Sequence, residues 1–320
     1  MLIKIIKPWE IPGLRPTDEK VFLNRRDYLK SLGFGAAALL TGGCNYQGPE
    51  AVVGLIGDYE KPGSYNPTKY INDKYTLDRP VTAEEKVLSF NNFYEFSIRK
   101  TDVEKKTKDF KITPWTLEVT GLVKKPKIFD IDGIKRMMPI EERLYRFRCV
   151  EAWAMAVPWT GFPFSELIKK VEPKPEATHV RFVSIMRPKE APNQNVRNYP
   201  WPYTEGLTID EAKNELAFLA TGLYGKPLAK QNGAPIRLVT PWKYGFKNIK
   251  SIVRIECTDE QPSTFWNNLA PREYDFSANV NPMVPHPRWS QATEKMIGTG
   301  KRYDTVLYNG YQSQVASLYL

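Results

Sequence analysis

Histidine and cysteine are scarce in this chain. Among 320 residues there are two histidines, His179 and His286, and three cysteines, Cys44, Cys149 and Cys257. The sequence has no CxxC, HExxH or CxxCH motif, which excludes the usual zinc constellations and a c-type haem site. It also has no GxGxxG, GxxxxGK[ST] or GxSxG motif, so it indicates neither a nucleotide phosphate loop nor a hydrolase nucleophile elbow. Any redox cofactor must therefore be held by few side-chain ligands.

Long apolar runs and dense clusters of charge are also absent. The apolar stretch near the N-terminus, Leu32–Leu40, is shorter than the roughly 20 residues of a membrane-spanning helix. The formal net charge is +10, but the basic residues are scattered among acidic ones without a block of five or more Lys and Arg. A nucleic-acid-binding protein usually concentrates its positive charge on one face or in a tail. We therefore expect no nucleic-acid partner.

The N-terminal region is arranged like an export signal. Residues Asn24–Lys30 read NRRDYLK and place adjacent arginines before the short apolar stretch, with small residues after it. This order is typical of a twin-arginine signal. We predict that residues 1–43 form this signal and that the remaining chain works in the periplasm. A cytosolic amphipathic helix is one alternative. Cys44 leaves a lipoprotein anchor open, although Thr41 stands where the lipidation pattern normally has a leucine.

The composition of the remaining chain favours a compact, strand-rich fold. Proline and glycine number 26 and 20, and 42% of the residues are apolar. This composition indicates many short strands and irregular connections around a substantial core. Predicted strands and helices follow one another without a βαβ rhythm. We predict a mixed α+β fold with a β-rich core, formed by residues 44–320 as a single catalytic domain.

Residue periodicity locates the main elements. The predicted strands are Trp115–Gly121, Leu144–Cys149, His179–Ile185, Pro235–Thr240 and Ile249–Cys257. The predicted helices are Ala83–Leu88, Phe164–Val171, with Ser165 as its N-cap, and Ile209–Thr221. In the last strand the residues expected to share one face are Ile249, Ser251, Val253, Ile255 and Cys257.

Cys149 is the candidate for metal chemistry. Alternation in the LYRFRC strand puts Tyr145, Phe147 and Cys149 on one face and Arg146 and Arg148 on the other. Cys149 thus ends the strand on its inward face. A thiolate next to an arginine has its charged form stabilised, as a metal ligand requires. Sulfur is also the soft ligand that an oxo-metal centre tolerates.

Other interpretations of the cysteines stay open. A cysteine in a strand is often only a small buried apolar residue, and we interpret Cys257 in this way. In an oxidising compartment, a disulfide between Cys149 and Cys257 is a further alternative.

Four segments of the sequence together resemble one known family. They are NNFYEF at Asn91–Phe96, RCVEAWAMAVPWTGFP at Arg148–Pro163, QNGAPIRLVTPWKYGFKNIKSI at Gln231–Ile252 and NPMVPHPRWSQATE at Asn281–Glu294. The family is the catalytic subunit of the periplasmic protein-methionine-sulfoxide reductase, a molybdopterin enzyme with the sulfite oxidase fold. The resemblance extends from the leader to the C-terminal QVASLYL and so covers nearly the whole chain.

The resemblance implies a molybdenum–molybdopterin cofactor and a set of residues that hold it. Cys149 would be the thiolate ligand of the metal. The residues implied in binding the pterin are Asn91, Tyr94, Glu95, Ser184, Asn232, Arg237, Asn248, Ile249 and Lys250. Ser184 falls where the family usually has a threonine. A pterin is a flat array of donors and acceptors that ends in a phosphate, for which amides and the charges of Arg237 and Lys250 are suited.

The resemblance also implies an activity. The chain would reduce methionine sulfoxide in oxidised periplasmic proteins by oxygen-atom transfer. Its electrons would come from a quinol-fed, haem-containing integral-membrane partner, which would bring it transiently to the membrane surface. Glu151 is the candidate proton relay, with a structural carboxylate as the alternative. Two other functions stay open: a sulfite-oxidase-like enzyme that acts on another small oxyanion or on an S- or N-oxide, and a cofactor-free exported binding protein.

Overall fold

The structure is a computed structural model that describes residues 71–320. The predicted signal, residues 1–43, and Cys44 lie outside the described residues. The export signal, the lipid anchor and the single domain over 44–320 therefore stay predictions. Among the described residues, every helix is too short or too polar to pass through a bilayer.

Strands and short helices make up the described part of the chain. The strands are β1 Thr116–Gly121, β2 Lys127–Asp130, β3 Glu141–Arg148, β4 Trp153–Pro163, β5 His179–Ser184, β6 Thr204–Thr208, β7 Phe218–Leu223, β8 Lys226–Pro227, β9 Arg237–Val239, β10 Ile252–Thr258, β11 Thr293–Met296 and β12 Arg302–Asp304. The α-helices are α1 Glu84–Ser89, α2 Val103–Lys106, α3 Ile131–Met137, α4 Phe164–Val171, α5 Ile209–Lys213, α6 Phe265–Leu269 and α7 Gln312–Val315. Single 3-10 turns cover Pro192–Asn195, Lys230–Asn232, Gly245–Lys247, Leu307–Gly310 and Ala316–Tyr319. This mixture confirms the predicted α+β class.

A five-stranded sheet has the order β2–β1–β10–β5–β6. β1 and β10 pair in parallel, whereas the other neighbours pair antiparallel. Leu117 and Val119 of β1 are buried, as are Val180 and Phe182 of β5, and their neighbours along each strand are more exposed. This period of two is the pattern that predicted both strands, and the structure confirms them.

The second sheet is built around β4. On one edge β4 pairs antiparallel with β3, and on the other it pairs with β11 at its beginning and with β7 at its end. β7 continues the sheet to β8 and β9, and β11 continues it to β12. β4 is buried along almost its whole length. The turn from β3 to β4 is therefore attached to the most central strand of this sheet.

Helix α4 has the predicted bounds but not the predicted cap. It begins directly after Pro163, whose φ of −57° suits a helix start, and no side chain caps it. Ser165 lies inside the first turn, so its assignment as the N-cap is wrong. The helix packs by its apolar face, which consists of Phe164, Leu167, Ile168 and Val171.

The predicted helix Ile209–Thr221 is wrong in its second half. α5 begins with a capping box between Thr208 and Glu211 and ends before Asn214, which has extended backbone angles. The chain then enters β7, in which every residue is buried. A short apolar run buried on all sides has no polar face, so periodicity alone does not distinguish a helix from a central strand there.

The predicted strand Ile249–Cys257 begins later than expected. Ser251 has a φ of +49°, which ends extended structure at this residue, and β10 starts at Ile252. A bulge between Ile252 and Arg254 then shifts the alternation. Ile252 and Cys257 are buried as a result, whereas Val253 is only half-buried.

The close approach of β4 and β7 gives a test of this packing. A Cβ atom on Gly161 would lie 2.1 Å from the carbonyl oxygen of Leu219 and 2.8 Å from the Cα of Ala220. Because both contacts are to backbone, we expect Gly161→Ala to lower the free energy of unfolding by about 3 kcal/mol, the upper end of common overpacking costs. Urea unfolding of the cofactor-free protein measures it.

Gly300→Ala is the matched control for that measurement. Its Cβ would meet nothing closer than Lys295 Cε at 3.7 Å, and its φ is +71°. We expect a loss of about 1 kcal/mol, from the left-handed backbone alone. A loss at Gly161 no greater than at Gly300 would contradict the close β4–β7 approach.

Candidate active site

Cys149 lies in the hairpin turn between β3 and β4. Its backbone N–H donates to the carbonyl of Trp153 at 2.9 Å, and the N–H of Ala152 donates to the carbonyl of Cys149 at 3.1 Å. Ala152 has a φ of +62°, which lets the chain reverse within this short turn. The cysteine thus follows the last residue of β3, where the sequence placed it. Its side chain is buried, with 4% exposed.

Cys149 and Cys257 are both free thiols, so the disulfide alternative is not formed. Cys257 lies buried within β10. It occupies the position of a small apolar residue, as interpreted from the sequence.

The sulfur of Cys149 is surrounded by polar groups from two segments. The backbone N–H of Glu151 points at it, with N and Sγ 3.4 Å apart. The Asn92 amide nitrogen and a Glu151 carboxylate oxygen each lie 3.6 Å from Sγ. Sequence reasoning missed Asn92, although it stands inside the NNFYEF segment next to the predicted Asn91.

The charge of Arg148 acts in the predicted direction and lowers the pKa of the Cys149 thiol, but it is outweighed. Arg148 is fully buried, and its guanidinium binds the carbonyl of Cys149 and lies 3.1 Å from a carboxylate oxygen of Glu294. Burial raises the pKa of the Cys149 thiol, and the charge of Glu151 adds to this, so the positive charges nearby do not compensate. A metal bound at the sulfur would remove this cost, because a coordinating thiol is deprotonated outright.

Glu151 is the most strongly hydrogen-bonded group beside Cys149. Its carboxylate accepts bonds from Asn92 Nδ2 at 3.1 Å and Trp153 Nε1 at 3.1 Å, and Lys100 Nζ lies 2.9 Å away. Burial alone would raise its pKa, but these donors, Lys100 first, hold the pKa of Glu151 below its ordinary value. An ionised carboxylate has no proton to give. The geometry therefore favours the structural alternative, and the relay role stays a prediction.

The turn faces a cleft that encloses ≈ 890 Å³, its opening included. The predicted residues that line it are Asn91, Tyr94, Glu95, Cys149, Glu151, Asn232, Arg237, Asn248, Ile249 and Lys250. Sequence reasoning missed most of the aromatic wall, namely Phe90, Trp159, Tyr203, Phe246, Trp266 and Tyr274. The structure thus brings three distant segments of the chain together around the Cys149 turn.

Ser184 is the predicted residue that the cleft does not include. Its hydroxyl oxygen lies 2.9 Å from a carboxyl oxygen of Glu95 and 2.8 Å from the carbonyl oxygen of Lys250. Burial raises the pKa of Glu95 to about 7. The Ser184 hydroxyl is the donor toward both oxygens, so its one proton is shared between the Glu95 carboxyl and the Lys250 carbonyl. Ser184 therefore supports two residues of the wall.

Arg237 is a buried cation of the cleft without a counter-ion. Its guanidinium donates to the carbonyls of Asn232 at 2.9 Å and Asn248 at 3.2 Å, and it stacks 4.8 Å above the Trp159 ring. No carboxylate of residues 71–320 forms an ion pair with it. Burial lowers the pKa of Arg237 to about 9, which is still high enough to keep it charged at neutral pH.

Lys250 is a second cation of the same wall. Its ammonium has no hydrogen-bond or ion-pair partner among the described residues, and it lies 5.7 Å from the Phe93 ring. Burial, aided by the charge of Arg237, lowers the pKa of Lys250 to about 7. The charge of Glu95 opposes this shift. Arg237, which has no such carboxylate, and Lys250 together suit an anionic group in the cleft.

Unpaired acceptors complete the donor and acceptor set. The side-chain oxygens of Asn92 and Asn232 are buried without a hydrogen-bond partner in the described part of the chain. The Asn232 amide nitrogen donates to Asn91 Oδ1 at 2.9 Å, which fixes its orientation. Buried polar groups are normally satisfied, so these oxygens indicate a bound molecule that offers donors. A thiol, two cations and oriented amides fit a pterin with an anionic end and a soft metal.

Comparison with known proteins agrees with this set of groups. The family described as oxidoreductase molybdopterin binding domain matches residues 104–266. The protein-methionine-sulfoxide reductase catalytic subunit MsrP of Gluconobacter oxydans (strain 621H) is 55% identical over 252 residues, 77% of this chain and 81% of that protein. The MsrP subunit of Burkholderia mallei (strain ATCC 23344) is 44% identical over 320 residues, 97% of this chain and 93% of that protein. The chain belongs to the MsrP family.

Among solved structures, the sulfane dehydrogenase SoxCD from Paracoccus pantotrophus matches with a TM-score of 0.43 and 16% identity, over 82% of this chain and 63% of that one.

Family membership confirms the resemblance seen in the sequence. The chain is a molybdopterin-binding oxidoreductase, and its cofactor is Mo-molybdopterin.

Replacement of Ser184 tests its supporting role. Ser184→Ala leaves the buried Glu95 carboxyl and the Lys250 carbonyl without their shared partner, so we expect it to lower the free energy of unfolding by about 1–3 kcal/mol. Ser184→Thr keeps the hydroxyl and serves as the control, with a smaller loss. Urea unfolding of the cofactor-free variants measures both. Equal stability of the alanine and threonine variants would contradict the bridge.

Proposed function

We propose that this chain reduces methionine sulfoxide residues in oxidised periplasmic proteins. The observation that carries the proposal is the buried Cys149 thiol, which faces a cleft with basic groups and amides but no second cysteine among its lining residues. The names of both MsrP relatives specify a protein-methionine-sulfoxide reductase, which supports this substrate. When bound, the molybdenum–pterin group supplies the oxygen-atom transfer and the two-electron redox change that sulfoxide reduction requires.

Different residues of the cleft would bind different parts of that group. Cys149 would ligate the metal through Sγ. Arg237 and Lys250 would neutralise the anionic end of the pterin, since both are basic groups that form no ion pair with a carboxylate of the described residues. The oriented amides of Asn91 and Asn232 would bond the polar edge of the ring system.

The remaining predicted residues would shape the pocket around the pterin. Asn248 is fixed by accepting the backbone N–H of Thr240 at 2.5 Å. Ile249 and Tyr94 are apolar or aromatic surfaces of the wall, and Glu95 is held by Ser184. These contacts orient a flat ring system and exclude water from it.

A substrate would reach the site beside Glu151 and Lys100, whose side chains are 31% and 22% exposed. Beyond them stand Tyr94, Trp266 and Tyr274, and the Tyr94 and Trp266 rings lie 4.8 Å apart edge to face. Sulfur and methyl groups pack favourably on such rings. This arrangement suits the CH₃–S end of methionine sulfoxide at the mouth of the cleft.

Electron supply and location form the second part of the proposal. We propose export through the twin-arginine signal at residues 1–43 to the periplasm. Electrons would come from a haem-containing integral-membrane partner fed by quinol, and the chain would associate with the membrane surface only through that partner. The words "catalytic subunit" in the names of both relatives support a partner subunit.

Metal and pterin analysis tests the proposal. We expect about one molybdenum per chain and pterin fluorescence in the wild type, with turnover of peptide methionine sulfoxide. Cys149→Ala should lose this turnover, because the cleft offers no other thiolate. Cys257→Ala is the matched control, a buried thiol of β10 that should keep both metal and turnover.

Three results would contradict that expectation. Full turnover by Cys149→Ala would refute the ligand role. Sulfite oxidation without sulfoxide reduction would indicate the sulfite-oxidase-like alternative. Absence of molybdenum after expression in a competent host would indicate a cofactor-free exported binding protein.

Lys250→Met tests the anion site separately. Methionine keeps the length of the side chain but removes the charge, so we expect lower pterin content. Since Lys250 makes no hydrogen bond among the described residues, the melting temperature of the cofactor-free protein should be unchanged or higher. Lys250→Arg, which keeps the charge, is the control. Full pterin content in the methionine variant would contradict the role.

A further inference from the structure

Side-chain donors hold the carbonyls of both Cys149 and Val150, one from Arg148 at the end of β3 and the others from outside the hairpin. The carbonyl of Cys149 accepts from the Arg148 guanidinium. The carbonyl of Val150 accepts two side-chain donors, Trp289 Nε1 and Gln291 Nε2, each at 2.7 Å. The Cys149 carbonyl belongs to the peptide that follows Cys149. The Val150 carbonyl belongs to the next peptide, whose N–H on Glu151 points at the Cys149 sulfur, with N and Sγ 3.4 Å apart. The direction of the Cys149 sulfur therefore depends on these bonds.

Gln291 connects the two anchors. Its carboxamide nitrogen binds the Val150 carbonyl, while its oxygen accepts from Arg148 Nη2 at 2.9 Å. The same Arg148 guanidinium binds the carbonyl of Cys149. The Gln291 carboxamide thus holds two consecutive peptides of the turn. It bonds the Val150 carbonyl directly, and it reaches the Cys149 carbonyl through Arg148. Gln291 is buried, with 2% exposed.

The framework behind this bridge is fixed. Glu294 of β11 lies between two arginines, with Arg148 Nε at 3.1 Å and Arg79 Nη1 at 2.5 Å. All three side chains are buried. Loss of one partner from such a group is costly, so the group keeps a single arrangement. Arg148 is therefore a rigid contact for Gln291.

Trp289 is held in place as well. Its ring stacks on His286 with 3.8 Å between centroids and an angle of 8° between the planes. Trp289, Gln291 and Glu294 all belong to the NPMVPHPRWSQATE segment, to which sequence reasoning gave no role. In the structure this segment contacts Val150 and Arg148, whereas Asn92 and Lys100 contact Glu151.

We propose that Gln291 is a positioning residue for Cys149: its carboxamide bridge sets the direction of the sulfur and hence the geometry of the metal–sulfur bond. This inference rests on the proposed molybdenum site and adds a residue outside the cleft to it. Groups that orient a metal ligand from behind commonly change metal affinity or activity by 10–100-fold when they are lost. Gln291 does not touch the substrate, so its loss acts on turnover more than on substrate binding.

The test compares Gln291→Met with Gln194→Met. Methionine keeps the length of the side chain and removes both hydrogen bonds at either position. Gln194 is also buried and also uses both ends of its carboxamide, with its nitrogen 2.7 Å from the Ile185 carbonyl and its oxygen 2.7 Å from the Arg187 backbone nitrogen. It makes no contact with the Cys149 turn. Equal losses of stability are expected, which makes Gln194→Met the matched control.

Three measurements separate positioning from stability. In the loaded enzyme, we expect Gln291→Met to lower kcat for peptide methionine sulfoxide by roughly 10–100-fold with little change in KM. Its Mo(V) electron paramagnetic resonance spectrum should differ from that of the wild type. In the cofactor-free protein, iodoacetamide should alkylate Cys149 roughly tenfold faster, as followed by peptide mass spectrometry, because the turn opens more readily. Gln194→Met should match the wild type in all three.

The outcomes are distinct. Wild-type kcat, spectrum and alkylation rate in Gln291→Met would overturn the inference, as would equal changes in both methionine variants. A wild type without molybdenum would refute the proposed function instead, and the alkylation rates of the cofactor-free proteins would still decide whether Gln291 positions Cys149.

Discussion

Burial of the Cys149 sulfur at the β3–β4 turn determines how the rest of the site is built. Desolvation raises the pKa of this thiol, and the neighbouring Glu151 carboxylate raises it further. The thiolate that a metal requires is therefore unfavourable until the metal arrives, since metal binding and deprotonation are coupled. A buried thiol that stays protonated can serve as a metal ligand only if its side chain is already in position. The hydrogen bonds around the turn hold its backbone and the Glu151 side chain, and leave the sulfur facing the cleft.

Burial of the basic residues of the cleft is also unfavourable without a bound group. Arg237 and Lys250 lose solvation without forming an ion pair with a carboxylate of the described residues, and only Lys250 has the charge of Glu95 nearby, so their burial costs folding free energy. Arg237 is retained by backbone carbonyls from two turns and by the Trp159 ring, so its position is fixed although its charge is not balanced. Such departures from local stability are expected at functional sites, where a bound group compensates for them. The buried, unpaired oxygens of Asn92 and Asn232 are a second departure of this kind.

Local patterns in the sequence predicted β1, β5 and α4, because each has one apolar face whose period can be read directly. They failed for Ile209–Thr221, where the run after Asn214 is buried on every side and has no period to read. The resemblance found the cleft residues that share its motifs, but it did not reveal what each one touches. Asn92 and Lys100 meet Glu151 across 59 and 51 residues, and Gln291 meets Val150 across 141. Contacts at such separations are set by strand pairing, which local periodicity does not encode.

Arg148 shows how a sound chemical inference can identify only part of what a residue does. Adjacent to Cys149 in sequence, it was expected to favour the thiolate by its charge, and it does lower the pKa of the thiol, but desolvation and the charge of Glu151 outweigh it. Consecutive side chains of a strand point to opposite faces, so the residue before the cysteine carries its guanidinium away from the sulfur. From that face the guanidinium reaches the carbonyl of Cys149, Gln291 and Glu294. The guanidinium forms hydrogen bonds that fix the backbone of the turn. In this site the residues next to Cys149 fix the direction of its side chain. Deprotonation of the thiol depends on metal binding.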